Sequence, residues 1–200
     1  MVFATIEEAI KDLQGGKFII IVDDERRENE GDLMIAAEKI TKEKLNFMIK
    51  HARGLICVPV ISTRLDELKI PLMVKNNTDK FNTAFTISVD AKDVYTGVSV
   101  SDRVKTIKKL INKNTKPEDL LRPGHVFPLR AHPLGLKARR GHTEASIELC
   151  KLANLYPAAV IAEIMKDDGE MARLPDLEKF STRHNIKIIT IKDLIKFLKN

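Results

Sequence analysis

The sequence predicts an α+β fold: a single three-layer domain over residues 1–200, a mixed β-sheet with helices packed on its faces. Short apolar runs of strand length alternate along the whole chain with segments of helical period. No repeat, low-complexity run or Pro/Ser-rich linker divides the 200 residues. That length suits one domain able to bury most of its apolar surface.

The first helix is expected over Ile6 to Leu13, with Thr5 and Glu8 at capping-box spacing and Gly15-Gly16 ending it. Phe18 to Val22 is a continuous apolar run and reads as a buried strand. The acidic stretch Asp23 to Asp32 follows, then a short apolar segment from Leu33 to Ala37. Lys42 to Ala52 reads as a helix stopped near Gly54, and Leu55 to Val60 as another buried strand. The polar connection Lys75 to Asn82 reads as a surface loop or a lid. Thr83 to Val89 alternates in the strand manner, and Ser101 to Asn114 sets Val104, Ile107, Leu110 and Ile111 on one helical face. Pro123-Gly124 marks a turn immediately before a strand over His125 to Leu129. Thr143 to Asn154 reads as a helix, Ala158 to Ile164 as a strand and Leu177 to Asn185 as a helix. Ile186 to Thr190 is then a strand, and Ile191 to Leu198 the closing helix.

Composition narrows the function. The formal net charge of +6 suits attraction of small phosphorylated substrates or of nucleic acid. The basic residues are spread thinly, and the aromatics comprise no Trp, two Tyr and eight Phe, mostly inside apolar segments. A base-stacking surface wants exposed aromatics beside basic residues, so nucleic acid is disfavoured as a partner. No apolar run is long enough to span a membrane. Met1 to Ile10 lacks the pattern of a signal peptide. Cys57 and Cys150 form neither a disulfide framework nor a CxxC motif. The expected compartment is the reducing cytoplasm.

The chemistry gathers at a few points. Asp23 to Asp32 reads DDERRENEGD, six carboxylates and two arginines at the end of a buried strand. Carboxylates so crowded are solvated, paired or bridged by a cation. An EF-hand is excluded, because with Gly31 as its loop glycine the first ligand would be Arg26. Arg139-Arg140-Gly141-His142-Thr143 precedes an apolar-periodic helix, whose free N–H groups and positive dipole end make a phosphate site. The plain alternative is Thr143 as N-cap, without a capping box because Ser146 stands three residues on. Glu163 lies in an apolar strand, where a carboxylate is costly unless paired or protonated, or else marks the strand's exposed end. Cys57 lies in another buried strand and reads as core. No G-x-G-x-x-G or Walker motif is present, so no organic cofactor is signalled.

DDERRENEGD, RPGHVFPLRA from Arg122, GHTEA from Gly141 and DDGEMAR from Asp167 occur in this order. Together they closely resemble the 3,4-dihydroxy-2-butanone 4-phosphate synthase family, from about Ile6 to about Leu198. The resemblance implies conversion of ribulose 5-phosphate to 3,4-dihydroxy-2-butanone 4-phosphate and formate, in riboflavin biosynthesis. It implies Mg²⁺ or Mn²⁺ held by Glu28 and His142, and a phosphate held by Arg139 and Thr143. Arg27, Arg140 and Gly141 join the implied substrate contacts. Asp32, His125 and Glu163 become the proton-transfer candidates, with Cys57 and Thr96 near the substrate. It further implies a homodimer with shared active sites, and the chain's length suits the synthase unit alone. The chain departs from the family pattern over His132 to Leu136 and at Arg140, changes that bear on the phosphate loop and not on the metal ligands. The alternatives are a metal-dependent sugar-phosphate isomerase or aldolase, separated by formate release, and an RNA-binding module, separated by salt-sensitive RNA retention.

Overall fold

Thr5 opens helix α1 (Ile6–Gln14) with the reciprocal bonds its spacing predicts. Its hydroxyl accepts the Glu8 N–H at 3.2 Å, and the Glu8 carboxylate accepts the Thr5 N–H at 2.9 Å. The chain then turns at Gly16, whose φ of +70° favours glycine. This computed structural model describes residues 3–199.

Strands β1 (Ile19–Val22) and β2 (Gly31–Ala36) form an antiparallel hairpin with Val22 opposite Gly31. The acidic stretch is its connection, and Gly31 and Asp32 are drawn into the strand. With β3 (Cys57–Ile61), β4 (Val89–Ala91), β5 (Leu120–Ala131), β6 (Ala159–Glu163) and β7 (Lys187–Thr190), they build a seven-stranded sheet ordered β4-β5-β3-β6-β2-β1-β7. The β1–β7 and β3–β5 pairs are parallel and the others antiparallel. The sheet is therefore mixed, as predicted.

Side chains alternate across the pleat into two cores. Ile20, Leu33 and Ile35 pack on one face with Leu45, Leu65, Ile107 and Leu177. Those come from α2 (Lys42–His51), α3 (Ser62–Glu67), α4 (Val100–Ile111) and α6 (Leu174–His184). Ile19, Ile21 and Met34 pack on the other with Leu13, Leu149 and Leu194, from α1, α5 (His142–Leu152) and α7 (Ile191–Phe197). Helices thus cover both faces, giving the three layers. Helix α5 is buried from His142 through Ile147, so its first turn sits at the centre of one layer. No helix of the described residues is long and apolar enough to cross a membrane.

Two local expectations fail, and one helix was missed. Thr83 to Val89 makes only single bridges, Leu72–Thr86 and Phe85–Leu129, before the short β4. Its neighbour Pro128 accepts from the Thr86 N–H and hydroxyl but has no N–H to return. Pro123-Gly124 lies inside β5 and does not precede it. A Cβ on Gly124 would stand 2.0 Å from the Val89 carbonyl carbon, so the missing side chain lets β4 approach and the strand bends without ending. Helix α3 was not foreseen, because its six residues are mostly polar and only Arg64 and Leu65 are buried.

Candidate active site

The acidic loop is organised by its first carboxylate. Asp23 Oδ2 accepts Arg27 Nη1 and the Glu28 N–H, both at 3.0 Å, and Oδ1 accepts the Glu30 N–H at 2.9 Å. The chain turns at Asn29, at φ +56°, a conformation asparagine tolerates. Glu28 then reaches α5, its Oε2 3.3 Å from His142 Nδ1. Asp23, Glu28 and His142 offer ligand atoms within 4.8 Å of one another. Both Asp23 oxygens accept from loop donors, and Glu28 Oε1 lies 2.8 Å from Arg27 Nη1.

Asp32 stands directly opposite Glu163 in the β2–β6 ladder. Successive strand residues alternate faces, so both carboxylates join the α5 side of the sheet. Asp32 is buried, and its Oδ1 lies 3.8 Å from His142 Nδ1. Asp32 Oδ1, His142 Nε2 and Glu163 Oε2 are buried without a hydrogen-bond partner. Orphaned buried polar atoms of this kind call for an ion, water or ligand as partner. A carboxylate–imidazole set beside further carboxylates fits a hard or borderline divalent cation. Gly54 makes room for this pair: a Cβ there would stand 2.4 Å from Glu163 Oε2.

The charges are tuned by burial. Desolvation raises Asp32 to about 7, partly opposed by His142 and reinforced by Glu163 and Glu28. Glu163 is raised for the same reason. Burial and the charge of Glu28 push Glu30 up. Burial also acts on Glu28, but the His142 hydrogen bond and charge, with Arg27 and Arg139, hold it below the ordinary carboxylate range. Burial lowers His142, yet Asp32, the Glu28 hydrogen bond and the Asp23 charge prevail and bring it to about 9.

Beside the carboxylates is a basic wall, with Arg27 Nη1 2.8 Å from Glu28 Oε1. Arg139 Nη1 binds the buried Glu144 at 2.8 Å, and its Nη2 donates to the Thr83 hydroxyl at 3.0 Å. Arg27 lies over the Phe81 ring, 5.2 Å from its centroid. The N-cap of α5 is Gly141, and it supplies no side-chain cap. Thr143 therefore lies inside the first turn and is not its cap, and His142 and Thr143 of that turn line the cavity. A Cβ on Gly141 would stand 2.3 Å from Arg139 Nη1 and 3.0 Å from Arg27 Nη2, so the two arginines converge over this glycine. The cavity is about 200 Å³. Arg27, Glu28, Glu30, Asp32, Arg139, His142, Thr143 and Glu163 line it, with Cys57, Phe81, Thr83 and Phe85 among the walls.

Three predicted site residues lie elsewhere. Arg140 is exposed and is not among the cavity walls. His125 stands four residues along β5 from the wall residue Leu129, about 13 Å away at strand rise. It pairs there with Asp90. Thr96 is exposed in the turn before α4. Cys57 does reach the wall, but burial and the nearby Glu163 and Asp32 push its thiol well up, which keeps it neutral. The sequence reading missed Asp23, Glu144, Phe81 and Thr83. A carboxylate in the first turn of a buried helix was a usable sign of Glu144; Phe81 and Thr83 carried none.

The sequence matches the 3,4-dihydroxy-2-butanone 4-phosphate synthase family over residues 7–197. This chain belongs to that family. A 3,4-dihydroxy-2-butanone 4-phosphate synthase of Agrobacterium fabrum is 52% identical over 200 residues, covering 100% of this chain and 94% of that protein. The riboflavin biosynthesis protein RibBA of Aquifex aeolicus is 56% identical over 98% of this chain, which spans 49% of the Aquifex protein. A solved 3,4-dihydroxy-2-butanone 4-phosphate synthase in complex with two magnesium ions superposes with a TM-score of 0.93 at 42% identity, covering 98% of this chain and 97% of that one. The sheet and helical layers described above are therefore those of a synthase of this family.

Proposed function

We propose that this chain is a lyase of riboflavin biosynthesis that converts D-ribulose 5-phosphate to L-3,4-dihydroxy-2-butanone 4-phosphate and formate. The observation that carries the reading is one small cavity with three neighbouring parts. It has a carboxylate–imidazole pair, Glu28 and His142, from distant segments. It has two opposed carboxylates, Asp32 and Glu163. It also has an arginine beside an uncapped helix start.

The phosphate binds Arg139, the Thr143 hydroxyl and the first-turn N–H groups of α5, with Arg27 alongside. That anchors the sugar with its carbonyl end toward Glu28 and His142, which hold Mg²⁺ or Mn²⁺. The cation supplies Lewis-acid stabilisation of negative charge on adjacent sugar oxygens. Asp32 and Glu163 are raised toward the working pH, where a carboxylate both takes and returns protons effectively. They move protons at the sugar carbons and hydroxyls during enolisation, dehydration, skeletal rearrangement and loss of formate. Phe81, Phe85 and Leu129 line the opposite wall and limit water. No organic cofactor is required for these steps.

A homodimer with shared sites accounts for His125 and Thr96, which lie outside the cavity of their own chain. Exposed Leu72, Met73, Val74, Tyr95, Val98 and Leu121 lie on or near the β4–β5 end of the sheet, an apolar surface that a second copy would cover. That copy would bring its own His125 and Thr96 to the cavity. The described residues share one sheet, which supports reading the chain as one synthase domain. Phe18, Phe47 and Phe180 pack against one another or against His51 and His184, which leaves little for stacking nucleic-acid bases. We assign the cytoplasm, which suits two free, buried cysteines.

The test is carbon NMR of ¹³C-labelled ribulose 5-phosphate incubated with the protein and Mg²⁺. Formate and the four-carbon phosphate should appear together. Isomerised or cleaved sugar without formate would overturn the assignment.

A further inference from the structure

We propose that Arg173 is a positioning residue that fixes the acidic loop in the conformation presenting Glu28 to His142. The proposal rests on the reading of Glu28 as a metal-holding group. It gives a role to DDGEMAR, the one recognised motif that contributes no wall to the cavity.

The loop is held from two sides. On one side Asp23 accepts the Glu28 and Glu30 N–H groups, at 3.0 and 2.9 Å. On the other, Arg173 Nη1 donates to the carbonyls of Glu28 and Asn29, at 2.8 and 2.5 Å. The N–H and C=O of a trans peptide point in opposite directions. The peptide joining Asn29 to Glu30 is therefore fixed at both ends, its N–H by Asp23 and its C=O by Arg173. With Asn29 at φ +56°, two successive carbonyls converge on one guanidinium nitrogen. Among the described residues nothing else donates to either carbonyl. Bonds from a charged donor are stronger than neutral ones, so this contact outweighs a backbone bond of the same length. Glu28 stands between the two grips, with Oε2 3.3 Å from His142 Nδ1.

The motif places Arg173 by backbone pairing. Past Glu163 the chain folds back through Gly169, at φ +91°. The Lys166 N–H donates to the Glu170 carbonyl at 2.8 Å, and Met165 bridges Met171. The Ala172 N–H then donates to the Ile164 carbonyl at 2.9 Å, and the Ile164 N–H donates to the Gly31 carbonyl at 3.0 Å. The residue before Arg173 is thus bonded to the residue after Glu163, which is bonded in turn to the end of the acidic loop. One hairpin ties the strand that carries Glu163 to the loop that carries Glu28. Arg173 also precedes α6, but there its backbone acts, its N–H donating to Asp176 Oδ2 at 3.2 Å. The side chain is 44% exposed, so truncating it removes the loop contact and little packing.

The experiment reads the loop and the metal separately. In the metal-free protein, amide exchange followed by NMR should find the Glu28 and Glu30 N–H groups protected. Arg173→Ala should speed exchange at both by about tenfold or more. Its Mn²⁺ affinity, read by electron paramagnetic resonance, should fall by about 10–100-fold, as when a group that orients a ligand is lost. Turnover should recover at saturating Mn²⁺. Arg173→Lys keeps the charge and a donor and should lie between Ala and wild type. Asp176→Ala removes the α6 cap, so it should lower the thermal midpoint and leave loop exchange and Mn²⁺ affinity unchanged. Unprotected Glu28 and Glu30 amides in the wild type would overturn the proposal without any variant. So would wild-type exchange or Mn²⁺ affinity in Arg173→Ala, or equal losses in Asp176→Ala. Wild-type Mn²⁺ affinity in Glu28→Gln would instead remove the metal reading of Glu28, and amide exchange would still decide whether Arg173 holds the loop.

Discussion

Asp32 on β2 and Glu163 on β6 occupy one register position of an antiparallel ladder, so two carboxylates share the same face within a buried cavity. Like charges so placed disfavour joint ionisation, and burial acts in the same direction. His142, 3.8 Å from Asp32 at Nδ1, offsets part of that cost. The sheet thus holds two carboxylates of raised pKa beside the Glu28–His142 pair.

Glu28→Gln should abolish turnover; it also removes the charge 3.3 Å from the buried His142, so the thermal midpoint of the metal-free protein should fall modestly. Mn²⁺ binding followed by electron paramagnetic resonance should weaken by at least tenfold, about 1.4 kcal/mol. Wild-type Mn²⁺ affinity in this variant would transfer the ligand role to another carboxylate of the loop.

The metal-free protein should lose stability as pH rises from about 4 to about 9. Folding raises Asp32 from 3.8 to about 7 and His142 from 6.5 to about 9. Each contribution is complete below the ordinary value and is lost as pH passes the raised one. A divalent cation binds the ionised carboxylate and neutral imidazole, so its stabilisation should grow across the same window. Thermal melts with and without Mg²⁺ at pH 5.5 and 8.5 measure this. An equal Mg²⁺ shift at both pH values would contradict it.

Glu163→Gln should remain folded and be at least as stable as wild type at pH 8, since it removes a buried carboxylate at nearly constant volume. Its kcat should fall by about 10²–10⁴-fold with substrate and Mn²⁺ still bound. Binding lost in step with rate would make Glu163 a builder of the site and not a proton carrier.

Arg139→Ala should raise KM more than it lowers kcat, because a phosphate anchor holds ground and transition states alike. It also leaves the buried Glu144 without its 2.8 Å partner, so Arg139→Lys serves as the variant that keeps a cation there. Thr143→Ala should repeat the KM pattern without that complication. If either variant were equally impaired with a dephosphorylated sugar, the phosphate role would fail.

The sequence alone determined the class of fold, and most elements lie within a few residues of their predicted bounds. Apolar runs such as Phe18 to Val22 and the Thr5–Glu8 cap encode local geometry directly, since burial period and capping act over neighbouring residues. The motif residues Glu28, Asp32, Arg139, His142, Thr143 and Glu163 were likewise legible as a set, and the cavity gathers all six. Tertiary structure decided what no local pattern encodes. Register sets Asp32 against Glu163, and Asp23 spends its oxygens on the loop that carries Glu28 to His142. A slipped β4–β5 ladder joins Asp90 to His125, 35 residues away in sequence. Arg140 faces solvent while its neighbour Arg139 turns inward to Glu144. Pairing partners and side-chain directions at long range depend on how the whole sheet closes, and a sequence read locally carries no term for that.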